Sequence, residues 1–267
     1  MEPLVRGVWV VAYRELLRYA QERSRIVSSF AMPLTFLAIF GAGLNRSIGP
    51  LTPGVNFIQY VYPGVIAMTV LTTSLTSGVS VVWDREFGFL KELLVAPLSR
   101  AGVVLGKAAG GVAVALIQGL VMLVLAPAVG VSVSPGLVVK LVPLLVLIGF
   151  AFSGLGLVLA SRMRSLQGFQ PVMQMVVFPL VFLSGIFFPL NNAPRWMEVL
   201  SRIDPVTYGV DAVRRLFLAG ASAAEEAPVL GVRVLGHTTG MFADVLVVAL
   251  LGAALMSAAV WSFNREG

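Results

Sequence analysis

Charge is what this 267-residue chain has least of. Only 12% of its residues are Asp, Glu, Lys or Arg, against 58% hydrophobic and a mean hydropathy of +0.92. Soluble domains carry about 25% charged residues. A water-facing surface over the whole fold is therefore excluded, and most of the chain has lipid as its solvent. Cysteine is absent, which removes disulfides, thiolate metal sites and cysteine nucleophiles. There is one histidine, His237, so a multi-histidine metal site cannot form within one chain and no metal is expected. No GxxxxGK[ST] phosphate loop, His–Glu metal motif or serine–histidine pairing occurs. No catalytic residue is expected. The net charge of +6 comes from basic residues that flank apolar runs rather than forming one stripe, so nucleic acid is not an expected partner.

What is present is a series of apolar runs. A hydrocarbon core needs roughly 20 residues in helix. Six stretches qualify: Ile26–Leu44, Val61–Val82, Val103–Pro127, Leu141–Ser161, Val172–Phe188 and Met241–Trp261. The fold expected is an all-α integral membrane protein with six transmembrane helices and no internal repeat. With six spans both termini share one side. That side carries twelve Lys and Arg, from Arg6 to Arg265, against seven opposite. The excess in the short connections places both ends in the cytoplasm.

Residues 1–25 do not read as a signal peptide, because arginines and glutamates are mixed throughout. Val5, Val8, Trp9, Ala12, Leu16 and Tyr19 share a broad helical face, with Arg14, Arg18 and Arg25 largely opposite. That pattern suits an amphipathic helix lying in the membrane interface. Residues 26–267 form one transmembrane domain, with a cytoplasmic loop at 83–100 and an outer re-entrant segment at 189–239.

The 83–100 loop alternates charge and apolar bulk. Phe87, Leu90, Leu94 and Leu93 can share one face, while Arg85, Glu86, Lys91 and Glu92 can point to water or a partner. Pro97 ends any helix begun earlier, and Ser99 can cap the third span. Resting on lipid and docking a cytosolic partner both explain this pattern. Arg85-Glu86-Phe87-Gly88-Phe89-Leu90-Lys91-Glu92 and the run through Ala96-Pro97 to Arg100 resemble the cytoplasmic signature of type-2 ATP-binding-cassette exporter permeases, which include daunorubicin-resistance and nodulation-factor exporters. Phe89, Lys91 and Ala96 depart from the usual pattern. The stretch from Phe182 to Leu190, then Ala193-Pro194-Arg195-Trp196 and Asp204-Pro205 through Arg214, resembles the end of the fifth span and the outer segment of the same family.

The resemblance implies a half-transporter. Two membrane subunits, identical or related, would form a pathway, and a dimer of cytoplasmic ATPase subunits would dock beneath. Arg85, Glu86, Phe87, Gly88, Leu90, Glu92 and Pro97 would belong to the coupling region. ATP and Mg²⁺ would sit on the partner, with no cofactor on this chain. The setting implied is a prokaryotic inner membrane, and the cargo an amphipathic drug, lipid or glycan.

In the fifth connection Asp204 reads as an N-cap and Pro205 as the first helical residue. Asp211 can pair with Arg214 or Arg215. Asn192 and Pro194 start a shorter helix bearing Trp196. The resemblance makes these half-helices an outer gate, with Phe188, Pro189, Trp196, Asp204, Pro205, Tyr208 and Asp211. Thr69, Thr73, Thr76, Ser80, Gln118 and Gln174 are candidate pathway residues, although ordinary helix–helix hydrogen bonding explains them equally. Gly106, Gly110 and Gly111 permit close helix approach. Asp244, near a span end, reads as a capping or water-exposed group. An ion-gradient-driven secondary transporter is the competing reading, but no acidic residue stands at the centre of a span. A non-transport scaffold leaves the 83–100 loop unexplained.

Overall fold

The computed structural model describes residues 3–44, 56–88, 99–188, 190, 193–219, 233–234, 237–238 and 240–265. The chain is a helical bundle. Helix α1 is Pro3–Gln21 and α2 is Arg23–Phe36, continued as a π-helix over Leu37–Leu44. Then come α3 (Phe57–Thr76), α4 (Val79–Glu86), α5 (Arg100–Leu125), α6 (Pro135–Ser161) and α7 (Leu166–Leu183). Two short helices, α8 (Arg195–Ile203) and α9 (Pro205–Leu218), precede α10 (Met241–Arg265). A two-residue antiparallel pair, Arg233–Val234 with His237–Thr238, is the one departure from helix among the described elements.

Local chemistry fixes where the helices begin. Ser99, Ser134 and Ser165 each accept a backbone N–H three residues on, from Gly102, Leu137 and Gly168. Asn56 and Gln59 form a capping box at the start of α3. Among the described residues five stretches are long and apolar enough to cross a membrane: 57–86, 100–129, 135–161, 166–183 and 241–265. The second expected span is longer than the sequence suggests. It begins at Phe57, bends at Ser77–Gly78 and carries on through α4, so Trp83–Glu86 is the end of a span rather than the start of a separate loop helix. Residues 89–98, with Leu90, Glu92 and Pro97, lie outside the described residues, as do Pro189 and Asn192. The first expected span is helical from Arg23 to Leu44, but its apolar helical part, Ile26–Ile39, is shorter than the other five. Pro33 interrupts its hydrogen-bond ladder just before the π-helical segment.

Lipid is as apolar as leucine, so close packing and interhelical hydrogen bonds must hold such helices together. Both are present where α3, α5 and α6 cross. A Cβ added at Gly156 or Gly78 would overlap backbone of the facing helix, and one at Gly111 would overlap Ser77. Tyr62 donates its hydroxyl to the Met122 carbonyl, and Ser161 and Ser262 share a hydrogen bond of 2.8 Å between α6 and α10. The bundle's outer surface keeps Val124, Val139, Met175, Phe242 and Leu250 exposed, the pattern of a lipid-facing belt.

Helix α1 runs along α5 on a glycine seam. Cβ atoms at Gly102, Gly106 and Gly110 would meet Leu4, Val11 and Glu15 respectively or their neighbours. The close approach expected of Gly106 and Gly110 is thus made to α1, while that of Gly111 is made to α3. The faces of α1 differ from the sequence expectation. Trp9, Val5, Val10, Tyr13 and Leu17 point outward, whereas Val11 and Tyr19 are buried. Arg14 and Arg18 turn toward the bundle, because Asp84 and Trp83 wait there as partners. The Arg25 side chain lies outside the described residues.

Candidate functional site

A cavity of about 380 Å³ opens between α1, α3–α4, α5 and α7. Thr73, Thr76, Ser77 and Ser80 line one wall, with Glu15, Arg18, Tyr19 and Glu22 of α1 opposite. These polar groups share a face because Thr73, Thr76 and Ser80 recur at helical spacing across the bend at Ser77–Gly78. Of the candidate pathway residues, Thr73, Thr76 and Ser80 reach this cavity. Gln118 stands behind it, buried, taking a hydrogen bond from Thr73 and donating to the Tyr19 hydroxyl at 3.0 Å. Thr69 is buried and donates to the Val65 carbonyl of its own helix. Gln174 is exposed, and Gln170, one turn earlier, lines the cavity instead.

Beside the cavity lies a buried ionic cluster. Lys107 Nζ, with its side chain 0% exposed, is 2.6 Å from Asp84 Oδ2 and 3.4 Å from Glu15 Oε1. It also donates to Ser80 Oγ at 3.0 Å. Arg14 Nη2 reaches Asp84 at 2.8 Å and Glu15 at 3.2 Å. Two cations and two carboxylates from α1, α4 and α5 therefore compensate one another. Such a cluster is tolerated in a low-dielectric interior only when paired and hydrogen-bonded.

The neighbouring loop end is tied to the α6–α7 turn. Arg85 Nη1 donates to the carbonyl oxygens of Ser161 at 2.8 Å and Met163 at 2.7 Å. Glu86 Oε2 accepts the Leu166 N–H at 2.8 Å. Neither side chain simply points to water, since two helix ends supply partners of the right sign. Phe87 is exposed and stacks at a tilt on Trp83, with ring centroids 4.6 Å apart. Gly88 takes φ +82°, a left-handed conformation that ends α4.

At the opposite end, α9 is pinned to the bundle. Arg214 is buried, donates to Tyr60 O at 3.2 Å and Gly185 O at 2.8 Å, and lies 3.8 Å from the centre of the Tyr60 ring. Asp211 pairs with Arg215 at 2.8 Å, and Arg215 stands 3.5 Å from Asp244. Asp244 is fully buried and faces this cation, so it is neither a free cap nor water-exposed. Tyr208 donates its hydroxyl to the Arg202 carbonyl at 2.7 Å. Phe188 packs against the core, while Trp196 on α8 is exposed.

Asp204 caps α9 and Pro205 opens it, as the sequence predicts; Asp204 Oδ1 accepts the Val206 N–H at 2.9 Å. Burial pushes the Asp204 carboxyl up from 3.8 to about 7, against the opposing pull of the Val206 N–H. The folded state then holds this proton more tightly than the unfolded state. Its contribution to stability is complete below pH 3.8 and is lost as pH rises through about 7, at up to about 1.4 kcal/mol per pH unit. Asp204→Asn keeps the cap and should flatten that dependence. Thermal unfolding of both proteins from pH 4 to 8 measures it.

Sequence reasoning used Lys107 only as an orientation marker and missed its cluster with Asp84, Arg14 and Glu15. One signal was available: Asp84 and Lys107 are ionisable groups inside helices that must cross lipid, where such residues find partners. The geometry is that of a membrane bundle with a cavity of mixed polarity near the end of α4, and among the described residues no cluster of three or more His, Cys, Asp or Glu is placed to hold a metal ion.

The ABC-2 type transporter family matches residues 6–218. Nodulation protein J of Rhizobium meliloti (strain 1021) is 28% identical over 195 residues, covering 72% of this chain and 74% of that protein. Inner membrane transport permease YadH of Escherichia coli (strain K12) is 28% identical over 218 residues, covering 80% and 82%. Probable multidrug ABC transporter permease YbhR of the same strain is 30% identical over 173 residues, covering 64% of this chain and 46% of that protein. The chain belongs to the ABC-2 type transporter family and is a multi-pass membrane subunit of an ABC transporter.

Proposed function

We propose that this chain is the permease of an ATP-driven exporter that moves an amphipathic drug, lipid or glycan out across a prokaryotic inner membrane. The observation that carries the reading is the cavity of about 380 Å³, of mixed polarity, which opens between the helices and is lined in part by Trp83 at the start of the 83–100 segment. A cavity that mixes hydroxyls, carboxylates and the rings of Tyr19 and Trp83 suits a cargo with a polar head and an apolar body. ATP and Mg²⁺ belong to a separate cytoplasmic ATPase dimer. The 83–100 segment, the end of α4 and the connection after it, forms the coupling region, and a second permease copy completes the pathway.

The excess of Lys and Arg in the short connections supports both termini in the cytoplasm. The outward apolar face of α1, with Trp9 stacked on Tyr13, supports a helix whose exterior meets the lipid interface. Helices α8 and α9 act as re-entrant outer half-helices; the exposed Trp196, Val199 and Ile203 on α8 are suited to lipid rather than water.

Co-expression with a candidate ATPase, identified by its own phosphate loop, tests this. Wild type should retain the ATPase through purification, and Leu90→Asp should weaken association about tenfold. If wild type binds no ATPase and moves solute on an ion gradient alone, the secondary-transporter reading replaces this one.

A further inference from the structure

We infer that Arg85 and Glu86 are positioning residues that join the coupling loop to the α6–α7 turn, rather than contacts for the ATPase. The inference rests on the reading of 83–100 as the ATPase-facing loop. Its observation is the opposite polarity of two neighbouring helix ends. The C-terminus of α6 presents carbonyl oxygens, and the Arg85 guanidinium takes those of Ser161 and Met163 at 2.8 and 2.7 Å. The N-terminus of α7 presents N–H groups, and the Glu86 carboxylate takes that of Leu166 at 2.8 Å. Each charge has the sign that its helix dipole favours. Adjacent residues of opposite charge thus clamp both ends of one turn, residues 162–165.

The tie has a mechanical consequence. Helix α7 is the least buried of the five membrane-crossing stretches, so its bundle packing resists displacement least. Its first amide is held from α4. Helix α4 ends at Glu86, directly before Phe87 and Gly88. A push on the loop is therefore delivered to the α6–α7 turn and to the foot of α7, which contributes Gln170 to the cavity wall. Arg85 is half-buried in this task, and Glu86, although exposed, commits Oε2 to it. Exposed Phe87 remains to meet the partner.

The test has two arms. Hydrogen exchange on the chain alone, in lipid nanodiscs, reads the clamp through the segment that begins at Leu166. Glu86→Ala should speed exchange there about tenfold, and Glu86→Gln, which keeps an acceptor oxygen, should restore most of the protection. Unchanged exchange in Glu86→Ala overturns the inference whatever the ATPase does. In the second arm, Arg85→Gln and Glu86→Ala complexes with the co-expressed ATPase should keep association within about twofold, while membrane-coupled ATP hydrolysis falls about tenfold. Equal loss of association and coupling would make these residues docking contacts and overturn the inference. If wild type itself binds no ATPase, the exporter reading fails, and the exchange arm still decides the clamp.

Discussion

Lys107→Met is expected to destabilise the protein by on the order of 3–5 kcal/mol, the cost of breaking a buried ion pair by removing one partner. The substitution leaves Asp84, 2% exposed, with Arg14 as its remaining cation, and takes a counter-charge from Glu15. It also frees Ser80 Oγ of its donor. The cluster joins three elements, so the loss is felt as loosening of α1 and of the α4 end together. Asp84→Leu combined with Lys107→Met should recover more than half of the loss. The double variant leaves Arg14 and Glu15 paired at 3.2 Å, and a well-packed apolar pair is often no worse than a buried ion pair. Unfolding rates of the three proteins in the same lipid nanodiscs measure this, since membrane-protein unfolding is commonly irreversible. A double variant no better than Lys107→Met would show that the single loss is packing, not uncompensated charge.

Gly156→Ala is the second large effect. The new methyl would sit well inside contact distance of the Leu75 carbonyl oxygen, which is backbone and cannot rotate aside. The α3–α6 crossing must widen, at a cost of about 1–3 kcal/mol or more. The displacement also reaches Ser153, whose Oγ bonds Ser74 O at 3.3 Å. Gly136→Ala on the same helix is the matched control: nothing lies within 4 Å of its Cβ position, so its melting temperature should match wild type. Equal melting temperatures for Gly156→Ala and Gly136→Ala would mean that the crossing has slack that the packing does not show.

The spans were legible because a lipid solvent writes itself into composition. Runs such as Leu141–Ser161 need no tertiary information to be read. Caps were legible for a similar reason: Ser99, Asp204 and Pro205 act on their own neighbours. What was not legible is partner choice across the bundle. Arg14 sits on the polar side of an amphipathic pattern, and sequence alone sends it to water. Only the placement of α1 on the α5 glycine seam, Gly102–Gly106–Gly110, brings it to Asp84. Arg85 and Glu86 misled in the same way, because the helix ends that satisfy them lie some 80 residues away. Of the pathway threonines and serine, Thr73, Thr76 and Ser80 face the cavity and Thr69 does not. Thr69 lies one turn before Thr73 on the same helix, is not part of the cavity wall, and gives its hydroxyl to the Val65 carbonyl of α3.

Reconstituting the chain with its ATPase in lipid reads whether ATP hydrolysed on a partner works through this bundle. ATP hydrolysis is compared for wild type and for Thr76→Trp, which puts an indole into the cavity that Thr76 lines. With wild type, hydrolysis should stand well above that of the ATPase alone, and with Thr76→Trp it should return toward the ATPase-alone rate while association persists. Equal hydrolysis with and without the chain, unmoved by Thr76→Trp, would contradict that coupling.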